Sequence, residues 1–431
     1  MLFSNVNIMD AQGQVTENAY LGTAGERISY IGASRPEGDF GRAIDGRGKL
    51  LMPGFYNAHA HSPMTLLRGY GENMRLQEWL NARIFPFEDR LDGNAVYWGT
   101  MLAMAESMRF GIVSTTDMYN FCDEMARAVA DSGMKANISR ALLSFDPGED
   151  IHGMESFREC RELYGNWNGA EGGRLIVDMS IHAEYTSTPR IVSQLAEYAG
   201  DVGANMHVHV SETESEHEGC KERHGGMTPV EYFSSLGLFG TRTTAAHCVW
   251  LSEHDMELLA EKGVTVASCP VSNMKLASGV CNVPLLLEKG VNVAIGTDGA
   301  ASNNSLNYIE EMKFFALANK VMRGDPTLVS PAETLRAATL AGARSQGRSG
   351  CGDIAVGARA DLIALDLSVP NMRPIHDLAS NVVYSACGSD VALTMVDGRI
   401  VYENGKHLTI DVERAVYETE RAKDRILGEL R

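Results

Sequence analysis

Pro53-Gly-Phe-Tyr-Asn-Ala-His-Ala-His61 is an apolar stretch that ends in two histidines separated by one alanine. On a β-strand, residues i and i+2 project to the same face. His59 and His61 therefore point the same way from one strand end, and two imidazoles so placed can hold one metal ion. An isolated pair of this kind is a weak signal, because a lone histidine is more often a hydrogen-bonded core residue. Three later stretches strengthen it. His209-Val-Ser-Glu212 sets a histidine at the end of an apolar run, with a carboxylate three residues on. Ala245-Ala-His247-Cys ends another run, and Gly296-Thr-Asp298-Gly ends a fourth. A buried aspartate after an apolar strand is costly unless it is paired or ligated. His, His, His, His and Asp in this order read as a metal-dependent hydrolase.

Outward from these points, strands and helices alternate. Candidate strands cover 51–58, 111–118, 135–143, 174–182, 204–210, 242–249, 263–269 and 291–297, with helical periodicity between them, as at 95–109 and 189–200. Eight strand–helix units predict a parallel (β/α)8 TIM-like barrel. Every candidate ligand then falls at the C-terminal end of its strand, the face on which such barrels carry their sites. Residues 1–52 and 355–410 have a different texture of short strands and Gly or Asp turns. Asp397-Gly398 marks a hairpin. These two segments are expected to pair as a small β-sandwich built from both termini. Residues 53–354 would form the catalytic barrel and 411–431 a C-terminal helix.

Bulk composition narrows the function classes. Of 431 residues, 44% are hydrophobic and 22% charged, with a formal net charge of −18. So acidic a surface repels nucleic acid and anionic membranes. The eight cysteines form no C-x-x-C pair, which suits reduced, mostly buried thiols in a cytoplasmic protein. The N-terminus lacks the basic and apolar regions of a signal peptide, and no apolar run approaches the ~20 residues of a membrane span.

Within the candidate site, His207 alternates with His209. His209 is nearer the strand end and has Glu212 beside it, so His209 is expected to be the ligand and His207 a barrel-interior residue below it. Glu214, Glu216 and Glu218 read as solvated loop carboxylates. His247 is either a ligand or a group that polarises the attacking water. His182, ending Ser180-Ile-His182, faces the same mouth and is a candidate for substrate contact. No lysine stands at that strand end, where two-metal sites of this layout need a bridging carboxylated lysine, so one metal is expected. Three nitrogens and one oxygen suit zinc, and iron(II) and manganese(II) accept the same donors.

These residues carry a family resemblance. The chain resembles the amidohydrolase superfamily, and within it the 5-methylthioadenosine/S-adenosylhomocysteine deaminases, over residues 28–405. The most specific pieces are His61-Ser-Pro-Met-Thr-Leu-Leu-Arg-Gly69, Glu78-Trp79-Leu80, Phe85-Pro-Phe-Glu-Asp-Arg90, Ala245-Ala-His-Cys-Val249 and Gly296-Thr-Asp-Gly-Ala-Ala-Ser-Asn-Asn-Ser-Leu-Asn307. The resemblance implies metal ligation by His59, His61, His209 and Asp298. It implies catalytic roles for Glu212, His247 and Asp298 in moving protons and orienting water. Glu88 would hold the ribose hydroxyls, His182 would meet the purine and Trp79 would line the substrate site. Arg140 would face the far end of the substrate. His152 stands about where relatives that take S-adenosylhomocysteine carry a second arginine, among the carboxylates Asp146, Glu149 and Asp150. The expected activity is hydrolytic deamination of an adenine nucleoside, in a protein the resemblance implies is a homo-oligomer. The alternative keeps the fold and changes the substrate to a free heterocycle of the guanine, pterin, cytosine or triazine type. Glu88 discriminates, because a ribose-free substrate needs no carboxylate there. A non-catalytic scaffold is disfavoured, because all six chemical groups are retained.

Overall fold

The computed structural model describes residues 1–430. Five strands come first: β1 Leu2–Met9, β2 Val15–Ala24, β3 Arg27–Gly32, β4 Ala43–Asp45 and β5 Lys49–Pro53. The next nine are β6 Phe55–Ala60, β7 Ile112–Tyr119, β8 Lys135–Leu142, β9 Leu175–Val177, β10 Met179–Ile181, β11 Met206–Val210, β12 Thr243–His247, β13 Thr265–Ser268 and β14 Asn292–Ile295. The last four are β15 Leu362–Asp366, β16 Val391–Val396, β17 Arg399–Glu403 and β18 Lys406–His407.

Eight of these make the barrel, paired parallel in the order β14-β13-β12-β11-β10-β8-β7-β6. Their sequences read as continuous apolar runs because helices cover the outside and side chains fill the inside. All eight residues of β7 are buried. The ring closes between its first and last strands, where Asp298 N–H donates to the His59 carbonyl at 3.0 Å and Ala60 bridges Asp298. The closing contact is thus made by residues of the ligand motifs.

Two expected strands are divided. The stretch 51–58 splits at Gly54, with β5 going to the terminal sheet and β6 to the barrel. A Cβ on Gly54 would lie 2.3 Å from Val113 Cγ1, so only glycine lets the chain pass there. The stretch 174–182 is interrupted at Asp178, whose buried carboxylate accepts from Asn137 Nδ2 at 3.0 Å and Asn205 Nδ2 at 2.8 Å.

Both chain ends share one mixed sheet, in the order β18-β17-β16-β15-β5-β1-β2-β3, with β4 beside β1. Phe3, Leu21, Leu51, Leu362 and Met395 from its strands form one core cluster. The β16–β17 hairpin turns at Asp397 and Gly398, both with positive φ (46° and 75°), as a two-residue primed turn requires. Sheet and barrel are joined by a buried ionic network. Lys135 Nζ meets Asp361 and, at 2.7 Å, Asp397 Oδ1, while the Tyr56 hydroxyl also donates to Asp361. A buried pair of this kind costs about 3–5 kcal/mol when one partner is removed, because the other is left charged and unpaired. The helix Val412–Glu429 starts where the Asp411 carboxylate accepts from Arg414 N at 3.0 Å. It packs on the helix Gly93–Arg109, with Thr419 Oγ1 donating to the Trp98 carbonyl at 3.2 Å. Residue 431 lies outside the described residues. Among those described, no helix is long and apolar enough to cross a membrane.

Candidate active site

Asn57, His59 and His61 share one side of β6 and its exit. Asn57 is anchored inside the barrel by Thr297, whose Oγ1 accepts from Asn57 Nδ2 at 2.7 Å. On β11 the same alternation turns His207 and His209 inward. His247 closes β12, and Asp298 follows β14 with φ 60°. The closest reactive atoms of His59, His61 and His209 lie within 4.8 Å of one another, as do those of His59, His247 and Asp298. Asp298 Oδ1 is 3.4 Å from His59 Nε2 and 3.3 Å from His61 Nε2.

The outer hydrogen bonds settle which nitrogens face inward as lone pairs, since each imidazole is oriented by the bond its other nitrogen makes. His61 Nδ1 donates to the Met118 carbonyl at 2.6 Å, and His209 Nδ1 to the His182 carbonyl at 2.6 Å. With Nδ1 donating outward, each ring turns its Nε2 inward, and these two Nε2 atoms lie 3.3 Å apart. Two lone pairs facing each other repel unless a cation lies between them. His59 Nδ1 is 2.9 Å from His207 Nε2, and fully buried His59 Nε2 has no hydrogen-bond partner. Burial lowers the His59 pKa to about 3 and drives His209 well below its ordinary value, which keeps both rings in the neutral, ligating form. Burial opposes ionisation of Asp298, but His59, and then the nearby His247 and His61, hold it well below the usual carboxylate range. Its Oδ2 accepts from Ser272 Oγ at 2.6 Å and Ser302 Oγ at 2.8 Å, which leaves Oδ1 to the histidines. This donor set fits a divalent cation.

Glu212 and His247 stand beside this cluster, with Glu212 Oε2 3.9 Å from His247 Nε2. Burial raises the Glu212 pKa, and Asp298 adds to the rise against the pull of His247. Burial would lower His247, but Glu212 and Asp298 outweigh it and raise its pKa. His247 Nδ1 is fixed by Asn273 Oδ1 at 2.8 Å.

Above lies a cavity of about 270 Å³ that includes His61, His209, Glu212, His247 and Asp298 in its lining. Its walls are largely apolar, from Leu76, Trp79, Leu80, Ile84, Phe85 and Leu276. Glu88 and His182 line it as well. Burial pushes Glu88 up to about 7, with the Tyr119 hydroxyl pulling it back. Burial lowers His182 to about 4, and its Nδ1 lies 3.0 Å from Thr186 Oγ1. Among the described residues, no lysine or arginine lines this cavity.

Three expectations are corrected. Arg140 does not face the cavity. Asn137, Ser139 and Ala141 take the inward positions of β8, so alternation turns Arg140 outward, where its Nε meets Glu159 Oε2 at 2.6 Å. His152 is exposed, does not line the cavity, and packs its ring edge-on to Phe157 at 5.5 Å. Glu216 is not solvated. It is 5% exposed and accepts from the backbone N–H of Ser211 at 2.9 Å and of Glu212 at 2.8 Å. Ser272, Ser302 and Asn273 went unread because isolated polar residues in loops carry no pattern. The spacing Thr213-x-x-Glu216 was the one available signal for Glu216.

Known proteins resemble this chain over nearly its whole length. The amidohydrolase family profile matches residues 50–401, and the chain belongs to that family. It is 40% identical over 433 residues to the 5-methylthioadenosine/S-adenosylhomocysteine deaminase of Syntrophomonas wolfei, covering 99% of each chain. It is also 40% identical to the 5′-deoxyadenosine deaminase of Methanosarcina mazei, covering 93% of this chain and 92% of that one. Among solved structures, a zinc-bound adenosine deaminase from Xanthomonas campestris superposes with a TM-score of 0.92 at 31% identity, covering 99% of this chain and 98% of that chain.

Proposed function

We propose that this chain is a metal-dependent adenine nucleoside deaminase, which converts a substrate of the adenosine, 5′-deoxyadenosine or 5′-methylthioadenosine type and water into the inosine derivative and ammonia. One arrangement above all supports the reading: His61, His209 and Asp298 of the donor cluster line a single cavity with Glu212 and Glu88, and His59 lies buried directly behind them. His59, His61, His209 and Asp298 would hold one divalent ion, with zinc the metal that three nitrogens and one oxygen suit best. When bound, such an ion lowers the pKa of a water toward ~7 and so makes a nucleophile available at neutral pH.

The remaining steps belong to the protein's own groups. Glu212, whose pKa burial raises, delivers a proton to the ring nitrogen next to the amino-bearing carbon, which opens that carbon to attack. Asp298 Oδ1 takes a proton from the attacking water. His247 donates from Nε2 to the oxygen as negative charge grows there, a preorganised contact of the oxyanion-hole kind. The proton taken up by Asp298 passes to the amino group, which leaves as ammonia as its bond to the ring carbon breaks, while the added hydroxyl returns its proton to Glu212 and becomes the carbonyl of the product. Glu88 accepts from the ribose hydroxyls, and His182 and Trp79 bound the purine. The deciding experiment is ammonia release measured across adenosine, 5′-deoxyadenosine, methylthioadenosine, S-adenosylhomocysteine, guanine and cytosine. Turnover of guanine or cytosine in preference to every nucleoside would replace this reading with a free-heterocycle hydrolase.

The same cavity sets an expectation for the substrate's 5′ end. Largely apolar walls favour a methylthio or deoxy terminus. A carboxylate gains most from a bidentate arginine, and among the described residues no arginine lines the cavity. S-adenosylhomocysteine is expected to be no better than methylthioadenosine, with the difference appearing in KM. Because His152 is off the cavity, His152→Arg leaves that ratio unchanged, contrary to what the loop sequence suggests. A tenfold preference for S-adenosylhomocysteine in the unmodified enzyme would overturn this.

Glu88→Ala is expected to harm ribosides selectively. A hydrogen bond to a charged acceptor contributes about 1.5–3 kcal/mol, so kcat/KM for adenosine drops by at least about tenfold. The check uses the unmutated enzyme as well: if 2′,3′-dideoxyadenosine serves it as well as adenosine does, Glu88 has no part in holding the ribose.

A further inference from the structure

Three segments of the chain share the helix-start pattern of a hydroxyl residue followed three positions later by glutamate. In two of them the glutamate closes an ordinary capping box. Thr228 N–H donates to Glu231 Oε2 at 2.8 Å, and Ser330 N–H to Glu333 Oε2 at 2.7 Å. In the third, the helix Glu214–Arg223, Thr213 Oγ1 accepts from Glu216 N at 3.2 Å as a cap should. The Glu216 carboxylate, however, passes over Thr213 and takes the two preceding N–H groups, those of Ser211 and Glu212, one on each oxygen.

The segment it holds leads from the candidate ligand His209 to Glu212. Ser211 has φ 47°, a left-handed conformation that is uncommon outside glycine. Its carbonyl accepts from Val249 and Trp250 N–H, both at 3.0 Å, and Cys248 N–H donates to Val210 O at 3.0 Å. These donors follow directly on His247. The Ser211 peptide group is therefore pinned on its carbonyl side by the His247 segment and on its amide side by Glu216. A carboxylate in this place is unfavourable in itself. Burial pushes Glu216 up to about 7, and the neighbouring Glu212 pushes in the same direction. The two backbone donors, and then the nearby His247, pull the other way.

We propose that Glu216 is a positioning residue for the deamination chemistry: it clamps the Ser211–Glu212 backbone so that the Glu212 carboxyl projects into the cavity beside His247. This rests on the adenine nucleoside deaminase reading above. Glu216 itself touches neither substrate nor metal donors. An amide in its place offers one acceptor where two are needed, and turns an N–H pair toward a backbone N–H. Misplacement of a reacting group by about 1 Å costs on the order of 10²-fold in rate.

The test compares the wild type with Glu216→Gln and Glu216→Asp. It measures kcat and KM with methylthioadenosine, metal content by elemental analysis, and deuterium exchange of the amides at 211 and 212. For Glu216→Gln, kcat is expected to drop by about ten- to a hundredfold with KM within about threefold and metal content unchanged. The two amides should exchange faster. Aspartate keeps the charge but is one methylene too short to reach both donors, so it should restore little; it also stands in for the glutamine variant should that one not fold. Unchanged exchange at 211 and 212 overturns the clamp, and so does a kcat within about twofold of wild type. Loss of metal together with activity would show a general structural role and overturn it as well. A wild-type enzyme that releases no ammonia from any adenine nucleoside sinks the deaminase reading instead, and the exchange measurement still decides whether Glu216 holds this backbone.

Discussion

Glu212→Gln is expected to lower kcat on methylthioadenosine by about 10²–10⁴-fold, the usual contribution of a positioned acid–base group, while leaving metal content and fold intact. Glutamine has nearly the same shape and fills the same space, but its amide cannot deliver a proton to the purine ring. Glu212 is 7% exposed, and its Oε2 lies 3.9 Å from His247 Nε2. Burial raises its pKa, which favours the protonated form at the pH where a donor is needed. Because its backbone amide is held by Glu216, the side-chain change has no route to disturb the loop. The measurement is steady-state kinetics paired with elemental analysis. Turnover within a few-fold of wild type would leave Glu212 as an ordinary buried carboxyl.

Stripping the metal with a chelator is expected to abolish turnover and to lower stability, and adding zinc back should restore both. A ligand that binds only the folded state stabilises it by about 4 kcal/mol when present at a thousand times its Kd. The stripped site also keeps an unfavourable geometry, with the Nε2 atoms of His61 and His209 3.3 Å apart and His59 Nε2 buried without a partner. Asp298→Asn should weaken metal retention in the same assay, since it removes the negative charge while keeping the Ser272 and Ser302 contacts largely possible. Elemental analysis of the untreated protein should find one metal per chain. Two tightly held ions per chain, or full activity with none, would refute the proposed site.

Much of this architecture is legible in the sequence. Short apolar runs alternating with helical periodicity mark all eight barrel strands, and the Asp397-Gly398 dipeptide marks the hairpin, because both depend on local burial patterns and backbone sterics. His59 with His61, and His207 with His209, were legible for the same reason: i and i+2 share a face whatever the rest of the chain does. The place of Asp298 followed from the cost of burying a carboxylate at the end of an apolar run.

The readings that failed depended on long-range geometry. Arg140 lies one position out of phase with the inward set of β8, and which parity of a strand faces inward is decided by its neighbours in the ring. His152 sits in the short turn Ile151–Gly153, away from the cavity, with its ring against Phe157. Glu216 belongs to an acidic run that looks solvated residue by residue, and only the direction of the helix start turns it back onto the chain. By itself, then, the sequence determined the order of the elements, the ligand-bearing strand ends and the chemical kinds of group available, because these follow from local periodicity and side-chain chemistry. Only the tertiary structure decided which of those groups meet in one cavity, that among the described residues no lysine or arginine lines it, and that Glu216 rather than a solvent molecule satisfies the amides beside Glu212. Each of these is a matter of distance between residues that chain spacing leaves free.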